Sequence, residues 1–173
     1  MSEQKWDLSR LDTGGRSVLK RSAGEMLGTD LRSLEAFWRA AGEVPKGRED
    51  IWYACMCMEC LWKAEDHPRV MPFEEILRTM YQNPDTSDSI RHRITSMADI
   101  PWGPDGFLLG KLNGFVRMMK AGDSSVMPDF QKLADDLSWW NNPEHRVQRR
   151  WIQTICGWRK EDTKKEEESK DVD

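Results

Sequence analysis

From Asp12 to Trp158 apolar residues recur every third or fourth position, and short clusters of Gly, Pro, Asp and Asn interrupt them. No stretch alternates β-branched with polar residues, so the spacing predicts helices and no strand. A chain of 173 residues has room for one domain or two small ones. The expectation is an all-α fold of about eight helices forming an elongated bundle.

The first helix is expected from an Asp12 or Thr13 cap through Arg16, Val18, Leu19 and Arg21, weakening at Gly24. Thr29 or Asp30 caps a second, in which Leu31, Leu34, Phe37 and Trp38 form a stripe that Gly42 ends. A third, from about Arg48 to Asp66, is apolar nearly all round and therefore central; a fourth runs from Pro72 to Gln82. Asn83-Pro84-Asp85 is a strong break. It divides an N-terminal helical subdomain (1–84) from a four-helix subdomain (85–160).

In that second half, Ser87 or Asp88 opens a helix with Ile90, Ile94 and Met97 on one face and Arg91, His92 and Arg93 around it. Another spans Phe107 to Lys120 and contains no acid; Pro128 starts a third that carries Phe130, Leu133, Leu137 and Trp140. Asn142 and Pro143 open the last, which buries Val147, Trp151, Ile155 and Trp158 and turns Arg146, Arg149, Arg150 and Gln153 outward. Residues 161–173 lack apolar spacing and are expected to be a disordered acidic tail.

The longest apolar run, the eight residues from Ile51 to Met58, falls well short of the roughly 18 that span a membrane. The first ten residues lack the apolar core of a secretory signal. Four cysteines beside such an N-terminus are expected to be thiols in a reducing cytoplasm. Cys55, Cys57 and Cys60 suggest a metal cluster, but on one helix Cys55 and Cys57 stand about 200° apart and cannot share an ion. They read as packing residues, with no metal. Glu74-Glu75 and Asp135-Asp136 read as solvated faces, and neither a phosphate loop nor a dinucleotide fingerprint occurs. No enzyme, cofactor or small-molecule substrate is indicated.

Charge is more informative. The formal charge of −4 sits in the tail, where seven acids face three lysines, so residues 1–160 hold 23 basic and 23 acidic side chains. Within that neutral body the basic residues are segregated. Arg10, Arg16, Lys20 and Arg21 oppose Asp12 alone between residues 8 and 24; Lys111, Arg117 and Lys120 face no acid between 107 and 122. Arg146, Arg149, Arg150, Arg159 and Lys160 oppose only Glu144 between 137 and 160. If folding brings these faces together they form a track for a phosphate backbone, held by counterion release with little base selectivity. Ordinary solvated faces are the other reading.

Leu133 to Trp158 (LADDLSWWNNPEHRVQRRWIQTICGW) resembles the most characteristic stretch of the CasB family, the small subunit of the type I-E CRISPR Cascade complex. LDTGGRSVLKRSAG (Leu11 to Gly24), DSIRHRITSM (Asp88 to Met97) and KLNGFVRMMKAG (Lys111 to Gly122) resemble further family segments in the same order.

The resemblance implies two helical subdomains and two head-to-tail copies along the complex. It also implies a non-catalytic role beside the large and backbone subunits, holding the crRNA–target hybrid and the displaced DNA strand in an R-loop. Lys20 and Arg21 match the basic pair of the N-terminal signature, Arg93 the second arginine of an Arg-Arg pair whose first is here His92. Arg149 and Arg150 match the basic run before Trp151, and Lys120 a basic helix end. Asn113 stands where many members place arginine, with Lys111 and Arg117 nearby. Residues expected at nucleic acid are thus Arg16, Lys20, Arg21, Arg91, Arg93, Lys111, Arg117, Lys120, Arg146, Arg149 and Arg150. The other class left open is a helical adaptor that binds protein through its tryptophans.

Overall fold

In a computed structural model of the chain, residues 5–159, 167, 168 and 170 are described. The described residues form eight α-helices: α1 (Thr13–Arg21), α2 (Leu31–Ala41), α3 (Glu49–Glu59), α4 (Phe73–Gln82), α5 (Asp88–Ser96), α6 (Phe107–Gly122), α7 (Phe130–Ser138) and α8 (Arg146–Cys156). Short polar side chains start several of them by accepting an otherwise orphaned backbone N–H. Asp12 accepts from Gly15, Asp30 from Arg32, Ser87 from Ile90 and Asp129 from Lys132.

The absence of strands is corrected. β1 (Arg69–Met71) and β2 (Val126–Pro128) pair in parallel, Val70 opposite Met127. Each overlaps a Val-Met-Pro string, Val70–Pro72 and Val126–Pro128, just ahead of a helix that begins with Phe, Phe73 in α4 and Phe130 in α7. At three residues each they are too short for alternation to register.

α3 is apolar on every side because it lies at the centre: Ile51 to Met58 are all buried. α1 and α2 cover one side of it, and α7 packs on another. α4 lies along α8, where Phe73 stacks on Trp151 with ring centres 5.4 Å apart and Trp140 meets Trp151 edge-on at 5.2 Å. The buried apolar side chains form one cluster from Trp6 to Ile155, and both α3–α7 and α4–α8 packing join residues on either side of Asn83-Pro84-Asp85.

Three helix ends differ from the periodic reading. α3 stops at Glu59 instead of Asp66, because Trp62 turns back to pack on Phe130 and donates Nε1 to Ser124 O at 3.1 Å. Asn142 caps a turn and not a helix: its Oδ1 accepts from Glu144 N, its carbonyl from His145 N, and α8 begins only at Arg146. α8 ends at Cys156, so Trp158 lies past it and is 76% exposed, not buried. Leu31 and Trp38, expected on the buried stripe of α2, are exposed as well. The tail expected to be disordered falls outside the described residues except Glu167, Glu168 and Lys170, which are helical and exposed.

Candidate nucleic-acid interface

α1 carries Leu19 into the core with no exposed surface, which turns Arg16 and Lys20 outward one helical turn apart, and Ser17 and Arg21 beside them. Once α3 has ended, Leu61-Trp62-Lys63 runs beneath this face. The resulting recess, about 280 Å³, is lined by Arg16, Ser17, Lys20, Trp62 and Lys63, with Glu65 as its carboxylate. A second recess of about 430 Å³ shares Ser17 and Lys20 and adds Arg21, Leu61 and Arg117. α6 supplies Arg117 because its Leu108, Leu112, Phe115, Val116 and Met119 are buried, leaving Arg117 to face out.

Folding thus brings two distant basic segments, α1 and α6, to one place. Lys20, Arg21 and Arg117 are exposed and make no ion pair among the described residues. Arg16 Nη1 donates to Leu8 O at 3.4 Å. Lys120 donates Nζ to Leu61 O and lies 5.9 Å from the Trp62 ring centre, which fastens the loop to α6. Sequence reasoning missed Lys63, since a helix continued to Asp66 hides the loop that delivers it. Below this surface, burial raises the Glu59 carboxyl to about 7, offset in part by the Trp6 indole and Arg16.

The other expected residues are placed differently. Arg91 donates to Tyr81 O at 2.9 Å and Asn83 O at 2.6 Å and pairs with Asp88, so it fastens α5 to the end of α4. Arg93 lies over Phe115 at 5.9 Å and Lys111 over Phe107 at 5.7 Å; both remain exposed. Asn113 points inward at the turn after α1. Gly24, at φ +90°, leaves the room: a Cβ there would stand 2.7 Å from Asn113 Nδ2. An arginine directed into that contact has no space.

On α8 the three arginines part company, because neighbours on a helix point about 100° apart. Arg146 pairs with Glu144 at 2.5 Å. Arg150 donates to Asp136 Oδ1 at 2.6 Å and lies 4.0 Å from Glu74. Arg149 is exposed and lines a separate groove of about 680 Å³ between α8 and residues 98–101.

The reading of Glu74 and Asp136 as solvated is overturned: both are buried. Glu74 takes Lys132, and Asp136 takes Arg150 and the Trp151 Nε1–H at 3.0 Å, so their charge is met inside the α4–α7–α8 junction. Buried Arg78 completes the junction by donating to Thr154 O and Gly157 O at the end of α8. Trp140 and Trp151 are core, as their stripes predict, while Trp139 is 62% exposed.

Cys55, Cys57 and Cys60 are buried, and burial pushes all three thiols up, Cys60 to about 12. Among the described residues no group of three or more His, Cys, Asp or Glu side chains is placed to hold a metal, and no helix is long and apolar enough to cross a membrane.

The helical body is similar to known structures. A chain of a CRISPR RNA-guided surveillance complex superposes with a TM-score of 0.65 at 22% identity, over 83% of this chain and 82% of that one. A Cse2-family CRISPR-associated protein from Thermus thermophilus gives 0.60 at 24%, over 84% and 87%. CasB from M. ruber gives 0.66 at 18%, over 92% and 90%. No curated protein sequence matches significantly. The sequence profile of CRISPR-associated protein Cse2 matches residues 15–154, most of the folded body, and includes all of α6 and most of α1 and α8. The chain therefore belongs to the Cse2 family, the family also called CasB.

Proposed function

We propose that the chain is the small subunit of a CRISPR Cascade complex, and that it holds nucleic-acid backbone without catalysing a reaction. The observation that carries this reading is the cationic surface where α1, the 60–65 loop and α6 meet. There Lys20, Arg21 and Arg117 project without carboxylate partners, with Arg16 and Lys63 alongside.

Such a surface suits phosphates, which release condensed counterions when lysine and arginine replace them. It carries no base code, and none is needed where guide pairing reads the sequence. Exchange of a DNA duplex for an RNA–DNA hybrid is nearly balanced in free energy, so a few backbone contacts to the crRNA–target hybrid and the displaced strand shift it toward the R-loop. Two copies set head to tail beside the large and backbone subunits extend the track.

The test is R-loop formation on duplex target by a reconstituted Cascade complex. Lys20→Glu with Arg117→Glu is expected to lower R-loop yield while the subunit still assembles and keeps its helical content. Unchanged yield with full assembly refutes the reading and favours a helical adaptor that acts through protein contacts alone.

A further inference from the structure

Resting on that reading, we propose that the groove between residues 98–101 and the first turns of α8 receives one unstacked nucleobase of a bound strand, its phosphate on Arg149 and its amino edge toward Gln148 Oε1. Gln148 lines the groove and is 6% exposed. Its Nε2 donates to Trp140 O at 2.6 Å. That bond fixes the amide, because the reversed orientation would set oxygen against oxygen. Oε1 is then a buried acceptor with no partner, a group that gains when a ligand brings a donor.

The rest of the groove fits the other parts of a nucleotide. Ile100, Pro101 and Ile152 give apolar walls, and the volume of about 680 Å³ lies in the range of small-ligand sites. Exposed Arg149 makes no ion pair among the described residues. His145, at φ +53°, precedes α8 without capping it through its side chain, and the first turn holds no acid, so the positive end of the helix is open beside the arginine. Asp99 is the carboxylate on the rim. A cation and an open helix end call for an anion attached to the apolar body, which a nucleotide has and a neutral peptide lacks. The walls are preformed: Trp140 Nε1 donates to Ile100 O at 2.8 Å, and Asn141 exchanges two hydrogen bonds with the Trp102 backbone.

The experiment measures affinity by fluorescence anisotropy for an oligodeoxycytidine of about 12 nucleotides and for an abasic strand of equal length and charge. The oligodeoxycytidine is expected to bind about tenfold tighter. Ile152→Trp, which fills the groove from a half-buried position, and Gln148→Met, which removes the acceptor, are each expected to erase that difference. Lys20→Glu should weaken both strands equally. Equal binding of the two strands by the unmodified protein overturns the base site and leaves the backbone reading intact. Binding of neither overturns both. Displacement of the strand by equimolar free dCMP would make the ligand a mononucleotide and also overturn the proposal.

Discussion

Arg149 and Arg150 are neighbours in sequence and should behave oppositely when each is replaced by alanine. Arg150 gives a charge-assisted bond at 2.6 Å to Asp136, whose side chain is only 8% exposed, while the arginine itself is 46% exposed. A hydrogen bond to a buried charge is worth about 1.5–3 kcal/mol, and solvent at the arginine reduces that. Removal also leaves Asp136 with the Trp151 indole as its remaining donor among these contacts. The expected loss is about 2 kcal/mol, a fall in Tm of about 6 °C for a domain of this size. Because its charge is already met by Asp136, Arg150→Ala should leave the salt dependence of single-stranded DNA binding unchanged. Arg149→Ala, by contrast, should change stability by less than about 0.5 kcal/mol and reduce the slope of log affinity against log salt by about 0.7. Urea denaturation at constant m, with anisotropy titrations at several salt concentrations, measures both. Equal losses of stability, or a slope change at Arg150 matching that at Arg149, would refute the placement of the two side chains.

Two further outcomes follow from buried contacts. Gly24→Ala should cost about 2 kcal/mol in thermal denaturation, since it strains a left-handed position and drives Cβ against Asn113. Adding Asn113→Ala should restore part of that loss, and a double variant no more stable than the single one would contradict the contact. Glu59 titrates near 7 in the folded state, above its unfolded value of about 4.3. Folding therefore favours its protonated form, a stabilisation fully present below the unfolded value and lost as pH rises to about 7. Stability of the native chain should decline across that window and Glu59→Gln should flatten the decline; parallel pH profiles would count against it.

Much of the helical plan is legible in the sequence because caps and stripes are local. Asp12, Asp30 and Ser87 each act where the chain presents a short polar side chain ahead of an apolar repeat. What escapes is set by long-range contact. Trp62 leaves α3 because Phe130, 68 positions away, offers it a ring to pack on. Asn142-Pro143 carries a helix-start signature, yet the same Asn side chain folds a turn equally well, and the seating of Val147 and Trp151 in the core begins α8 later.

Charge runs show the same limit. The sequence marks α1 and α6 as basic, and folding joins them; it marks Arg149 and Arg150 as a pair, and folding gives one to solvent and one to Asp136. Glu74 and Asp136 read as surface because adjacent acids usually are, whereas here one of each pair turns inward to meet Lys132 or Arg150. Lys63 belongs to the cationic surface only because α3 ends early.

The most direct measurement is the salt dependence of single-stranded DNA binding by the unmodified chain and by Lys20→Ala, Arg21→Ala, Arg117→Ala combined. Loss of three phosphate contacts should make the slope of log affinity against log salt shallower by about 2, with Tm and helical content preserved. A triple variant that keeps both the affinity and the slope of the parent would contradict the assignment of the α1–α6 surface to nucleic-acid backbone.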